Sequence, residues 1–360
     1  MAKPAVGEPD APTGAVSTMM RRVVVSADRE VGVHRVAVPA PMPGEALVRT
    51  MAAGICGSDI HALHGRHPFI PLPYSPGHEV LGVVVEAAEG ASGPPAGQRV
   101  VVEPTLPCWR CKQCRAGREN LCENLAFFGC GHAQGGMADA FTIPADRLHP
   151  VPNELDDRQA ILIEPLSTPV HAVRLAAPLE GKAVAVLGAG TIGLMVLAVV
   201  LDHGASKVVV TDLLESKRRR ALDLGAHAVV DATRAAAVEE VRGALGESAD
   251  VVFDCVAVQR TVGQAIAMAL KAGTVVIVGV PAADVEIPLP FVQDQQVRIQ
   301  GSATYLPDDY AEAIDLLRRG VVRPEDFITG AYALDDVAEA FIAATSAEHV
   351  KVIVTADARP

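Results

Sequence analysis

A chain of 360 residues is long for one hydrophobic core, so about two domains are expected. Half the residues are hydrophobic and only 4% aromatic, which points to a core of Ala, Val, Leu and Ile under an α/β architecture. The formal net charge of −12, with basic residues scattered except at 217–220, excludes nucleic acid or an anionic membrane as the main partner and favours a small molecule.

Residues 1–20 contain no apolar run of signal-peptide length and carry Glu8 and Asp10. They are expected to be a flexible extension of a cytoplasmic protein whose fold starts near Arg21. From there to residue 165, short alternating segments are separated by breakers such as "PAPMPGE" and "GASGPPAG", a texture that predicts an antiparallel, barrel-like domain.

Chemistry-bearing residues are concentrated in this first part. "GICGSDIHALHG" supplies Cys56, Ser58 and His61, and "PGHEVLGVVV" supplies His78 and Glu79. His64 and His67 read as surface residues or loop contacts. "ILIEPLSTPVHAV" adds Glu164. One thiolate, one imidazole and one or two carboxylates make a mixed shell suited to a Zn²⁺ that keeps a position for water or substrate. Taken singly, each has an ordinary explanation: a small buried Cys56, a hydrogen-bonded core His78, a Glu164 at a helix entry before Pro165.

Between these segments lies "CWRCKQCRAGRENLC", with Cys108, Cys111, Cys114 and Cys122 spaced C-x2-C-x2-C-x7-C. A reducing compartment disfavours disulfides. Four thiolates this close suit one closed, tetrahedral Zn²⁺ that holds a loop and does no chemistry. A C-x-x-C redox pair and an iron–sulfur cluster are the alternatives that the spacing leaves open.

From residue 166 to 304 the texture changes. Val-rich runs at 183–187, 207–211, 228–230, 250–255, 274–280 and 297–303 are mostly separated by helix-length segments, which predicts a doubly wound, six-stranded parallel sheet. The link 280–297 is Pro-rich and reads as a loop. The uncharged stretch 183–201 meets a simple membrane-span criterion, but the glycines at its centre make it strand, turn and helix. There Gly188, Gly190 and Gly193 form G-x-G-x-x-G in the strand-to-helix context that binds a dinucleotide pyrophosphate. Asp212 ends the second strand, where a carboxylate accepts from a ribose diol and repels a 2′-phosphate. NAD is therefore expected over NADP, although Lys217 and Arg218 could tolerate the extra phosphate. Residues 305–360 contain a helix at 308–319 and a strand in "HVKVIVTA" with no place in the six-stranded count, and they are expected to return to the first domain.

"GICGSDIH", "GHEVLGVV", the four-cysteine loop, "EPLSTPVHA" and "GAGTIG" occur in the order of the zinc-dependent medium-chain dehydrogenase/reductase family, and the chain resembles its sorbitol, threonine and butanediol dehydrogenase branch over about residues 21–355. The resemblance implies a GroES-like β-barrel catalytic domain beside the Rossmann sheet, with the active site in the cleft between them. It implies two zincs per chain: a catalytic one on Cys56, His78, Glu79 and Glu164, the last two directly or through water, and a structural one on Cys108, Cys111, Cys114 and Cys122. Ser58 and His61 would begin and end a proton relay, with Glu79 beside them. Gly188, Gly190, Ile192, Gly193, Asp212, Lys217 and Val280 would contact the cofactor.

The implied reaction is reversible hydride transfer from a secondary alcohol, polyol or amino alcohol to NAD, in a homodimer or homotetramer. The alternative is a non-catalytic nucleotide-binding or structural protein on the same fold. Two departures stand out. Thr304 and Tyr305 occupy the place of an Arg-Tyr pair in sorbitol dehydrogenases, which weakens sorbitol as substrate, and Trp109 replaces a common Gly in the cysteine loop.

Overall fold

The computed structural model describes residues 19–356. The expected extension, up to residue 18, lies outside them. Met19 and Met20 already belong to the strand Met19–Val25, in which Met20 and Val23 are buried.

In the second half, six parallel strands lie in the order Ala228–Asp231, Lys207–Asp212, Ala183–Leu187, Ala249–Asp254, Ala269–Ile277, Arg298–Gly301. In chain sequence this is 3-2-1-4-5-6, so the winding reverses beside the first strand and opens a crevice at its carboxyl end. Ala183–Leu187 is buried on both faces, which is why its apolar residues run without alternation. The helix Thr191–Asp202 that follows is buried along most of its length. No helix among the described residues is long and apolar enough to cross a membrane.

Two expectations are corrected here. The link after the fifth strand, read as loop, contains the short helix Leu289–Asp294. Pro290 suits its first turn, and none of its side chains is buried, so no apolar periodicity announced it. The fifth strand also begins and ends earlier than expected, at Ala269 and Ile277, with a register irregularity against its neighbour.

The first half forms a seven-stranded sheet in the order Ile328–Ala333, Lys351–Thr355, Glu45–Ile55, Glu79–Ala87, Arg99–Val102, Leu148–Pro150, with Ala140–Pro144 also paired to Glu45–Ile55. Its pairings are antiparallel except Ile328–Ala333 with Lys351–Thr355. The C-terminal strand does return: Val352 lies opposite Ile55, and Phe341 and Val354 join Val48 and Phe141 in one core. A second core is continuous across the two halves. Leu166 and Val170, on the helix Ile163–Ala176, join Leu81 and Val101 of the first sheet to Val184 and Val186 of the second.

Candidate active site and metal centres

The Cys56 segment is positioned by a local cap. Cys56 is the N-cap of the helix Gly57–Leu63, and its backbone N–H donates to Asp59 Oδ2 at 3.0 Å. Asp59 is fully buried and also accepts the Tyr74 hydroxyl at 3.0 Å. Ser58 and His61 are three residues apart on this helix and so share a face.

His78 immediately precedes the strand Glu79–Ala87, which pairs with the strand ending at Ile55. Gly54 stands opposite Glu79, where a Cβ would lie 1.9 Å from Glu79 Oε2, so only glycine admits the carboxylate. The donor atoms of Cys56, His78 and Glu79 all lie within 4.8 Å of one another. Around them, His78 Nδ1 is 3.3 Å from Cys130 Sγ and 4.0 Å from Asp59. Burial works against a cationic His78, but the charges of Cys130 and Asp59 outweigh it and lift its pKa well above the ordinary value.

Glu79 is gripped by Lys351, whose Nζ lies 2.5 and 2.7 Å from the two carboxylate oxygens. Burial opposes the lysine's charge, but Glu79 raises its pKa, and the pair is almost fully enclosed. Glu164 does not join the donor group. Its carboxylate accepts the Tyr305 hydroxyl, and burial pushes its pKa up to about 7. A soft sulfur, an imidazole and a carboxylate in this arrangement fit a zinc with an open position.

The cysteine loop is gathered as well. Its four sulfurs lie within 4.8 Å of one another, with Cys111 Sγ 3.5 Å from Cys114 Sγ and 4.0 Å from Cys122 Sγ. Four sulfurs about 2.3 Å from one tetrahedral Zn²⁺ are spaced comparably. The backbone N–H groups of Cys108 and Asn124 donate to Cys122 Sγ, and that of Cys114 donates to Cys111 Sγ. Amide donation, chiefly from Arg110, draws Cys108 down to about 6, while burial and its neighbouring thiols push Cys114 up to about 12. A divalent cation would relieve that opposition. Trp109 adopts a left-handed φ of 57°, and the Arg147 guanidinium sits 4.9 Å from its ring centroid. Arg147 in turn pairs with the buried Glu103 at 2.9 Å.

At the sheet crevice, Gly188 has φ 94°, and Gly190 caps the helix Thr191–Asp202. A Cβ on Gly193 would fall 1.8 Å from Gly188 O, so strand and helix meet only through glycine. Asp212 Oδ2 accepts Ala189 N at 2.8 Å and Oδ1 accepts Leu214 N at 2.9 Å, which ties the carboxylate to the glycine turn. A cleft of about 430 Å³ opens here, and its lining includes Cys56, His61 and His349 together with Gly190, Thr191 and Lys217. Its lining includes no Asp or Glu in a chain of net charge −12. Of the expected cofactor residues only Gly190 and Lys217 line it; Gly188, Ile192, Gly193, Asp212 and Val280 do not, Ile192 packing on the core and Val280 being half-exposed.

Sequence reasoning missed Asp59, Cys130 and Lys351. Only Lys351 left a signal, as a lone cation inside the apolar run "VKVIV".

Comparison with known proteins adds the following. The family signature "Alcohol dehydrogenase GroES-like domain" matches residues 42–153, and "Zinc-binding dehydrogenase" matches 191–319. D-xylulose reductase A of Aspergillus niger is 32% identical over 337 residues, covering 90% of this chain and 94% of the relative. The structure of 2R,3R-butanediol dehydrogenase from Bacillus subtilis superposes with a TM-score of 0.86 at 29% identity, covering 94% of this chain and all of that one. A protein from Sinorhizobium meliloti 1021 assigned as a zinc-binding dehydrogenase, bound to NADP, superposes with a TM-score of 0.86 at 35% identity, covering 94% of this chain and all of the other.

Proposed function

The chain belongs to the zinc-dependent medium-chain dehydrogenase/reductase family and is an oxidoreductase acting on CH–OH groups with NAD(P), and on that premise we propose that it oxidises a polyol or other secondary alcohol reversibly, with NAD as hydride acceptor. One observation carries the reading. Cys56, one of three converging donors, lines the same cleft as the glycine turn, so a substrate held by the donors faces a nicotinamide held by the turn.

Cys56, His78 and Glu79 would hold the catalytic zinc, with Glu164 on Tyr305 behind them. When bound, zinc polarises the substrate oxygen and makes its proton easier to remove. Ser58 accepts that proton, and His61, further along the same helix face and in the cleft lining, releases it to solvent. Burial lowers the His61 pKa, so its ring is neutral and able to accept near neutrality. Lys351 holds Glu79 in place and offsets its charge. The cysteine loop would hold the structural zinc and take no part in the chemistry.

Asp212 keeps further lone pairs for a ribose diol, which favours NAD, and Gly188, Gly190, Ile192, Gly193, Lys217 and Val280 complete the cofactor set in this reading. The chain would divide into a catalytic domain of 21–165 with 305–360 and a nucleotide domain of 166–304. It would work in the cytoplasm on a small-molecule substrate as a homodimer or homotetramer, for which the edge strand Arg298–Gly301 and the exposed Leu289 and Phe291 offer a surface.

The test is reduced-cofactor absorbance with zinc-loaded protein, NAD or NADP, and a panel of xylitol, sorbitol, vicinal diols, L-threonine and simple secondary alcohols. Turnover of a polyol or diol with NAD is expected, and Cys56→Ala should abolish it while NAD still binds. Activity in Cys56→Ala would remove the metal assignment. Silence of the wild type across the panel would remove the substrate reading.

A further inference from the structure

The turn that carries Tyr305 is strained and is held from outside. Thr304 is β-branched yet sits at a φ of 50°, and its buried hydroxyl has no hydrogen-bond partner among the described residues. Such a backbone persists only where its surroundings over-determine it.

Two clamps are visible. On the N-terminal side, Asn120 Nδ2 donates to Ala303 O at 2.9 Å. On the C-terminal side, Leu306 N donates to Asp309 Oδ2 at 2.7 Å. His171 joins them, with Asn120 Nδ2 3.4 Å from its Nε2 and its Nδ1 2.9 Å from the same Asp309 oxygen. The donors fit a single pattern: one Asn120 N–H to the carbonyl, the other to His171 Nε2, and the imidazole Nδ1–H to Asp309. Asn120, His171 and Asp309 are all buried.

These residues join two parts of the molecule. Asn120 lies in the 3₁₀ turn Glu119–Leu121, between Cys114 and Cys122 of the cysteine loop. His171 lies on the helix Ile163–Ala176 that also carries Glu164, seven residues earlier and so on the same face. The held turn closes the circuit, since the Tyr305 hydroxyl donates to Glu164.

We propose that Asn120 is a positioning residue through which the cysteine lobe fixes the Thr304–Tyr305 turn, and with it the Glu164 carboxylate beside the catalytic donors. The lobe therefore acts on the active site as well as on its own fold. The effect on turnover rests on the dehydrogenase reading above; the coupling to the turn does not.

The experiment compares Asn120→Ala and Asn120→Asp, the second matching the native shape without an N–H to give, with Tyr305→Phe, the double variant Asn120→Ala/Tyr305→Phe, and a control in the same lobe, Arg118→Ala, whose exposed side chain bonds Gln113. Hydrogen exchange of residues 302–309 is read on zinc-loaded protein. Both Asn120 variants should speed exchange there, and the control should not. In turnover, loss of an outer hydrogen-bond partner of a metal site is expected to lower kcat about tenfold, with NAD affinity unchanged. In the Tyr305→Phe background, Asn120→Ala should then cost no more, because the two act through one bond. Unchanged exchange at 302–309, or losses in kcat that multiply in the double variant, would overturn the proposal. A wild type without dehydrogenase activity would count against the reading of function alone, and the exchange data would decide the coupling.

Discussion

Gly190 and Gly193 belong to one motif, but the structure separates what they do. A Cβ on Gly193 would meet Gly188 O at 1.8 Å and Gly188 C at 2.9 Å, both backbone atoms. Strand and helix must part by more than an ångström, which places Gly193→Ala at the upper end of overpacking costs, about 3 kcal/mol. For a unit of this size that lowers Tm by roughly 6–12 °C. A Cβ on Gly190 meets nothing within 4 Å, and its φ of −77° and ψ of −173° suit any residue. Losing a glycine stabilises by about 0.4–1 kcal/mol through the unfolded chain. Alanine at an N-cap costs about as much, so stability should stay within about 0.5 kcal/mol of wild type. In the proposed cofactor site, a pyrophosphate would approach the backbone through the open space beside Gly190. Gly190→Ala should therefore fold normally and lose at least about tenfold in dinucleotide affinity, or about 1.4 kcal/mol. Thermal unfolding and NADH titration by fluorescence measure the two effects separately. Wild-type affinity in Gly190→Ala, or a fall in Tm equal to that of Gly193→Ala, would refute this division of labour.

Two other outcomes are expected. Trp109 has a left-handed backbone that costs a non-glycine residue roughly 1–2 kcal/mol, while glycine costs about 0.5–1 kcal/mol more than alanine in lost chain entropy. Both replacements lose the contact with Arg147, so Trp109→Gly should be more stable than Trp109→Ala by roughly 0.5–1 kcal/mol in denaturant unfolding followed by circular dichroism; the reverse order would mean that the backbone angle carries no strain. The pair His203–Glu312 makes stability depend on pH. Its hydrogen bond raises His203 above 6.5 and, through the same bond, lowers Glu312 below 4.5. The histidine's contribution is complete below its ordinary pKa and is lost as pH rises through the raised one, whereas the glutamate's is present above its ordinary pKa and is lost as pH falls through the lowered one. The stability difference between wild type and His203→Gln should therefore shrink from about pH 6 to about pH 8, and a constant difference would show that the pair does not titrate with folding.

Much of the fold was legible because its signals are local. The central strands of the parallel sheet are buried and need continuous apolar runs, which appear in the sequence near the places where those strands form, whereas the edge strand Arg298–Gly301 is largely exposed. The glycine turn is equally local, since strand, turn and helix are consecutive. The helix Leu289–Asp294 was not legible, because an exposed helix has no apolar face to mark it. The cysteine loop announced itself by spacing.

The proposed catalytic donors were nameable one at a time, but their meeting was not. Cys56 and His78 come together because the strand Glu45–Ile55 pairs with Glu79–Ala87, and a pairing register is written in no single segment. Lys351 is 272 residues from the carboxylate it holds. Only the return of the C-terminal strand to Glu45–Ile55 puts it there. The same holds for Glu164, an unremarkable helix-entry charge in sequence until Tyr305 arrives from across the molecule to take its carboxylate. The sequence by itself determined most of the elements and which side chains could carry chemistry, because propensity, turn geometry and ligand type act within a few residues. Tertiary structure alone decided which donors face one another and which charges offset them, because those energies exist only after distant strands have been brought within a few ångströms.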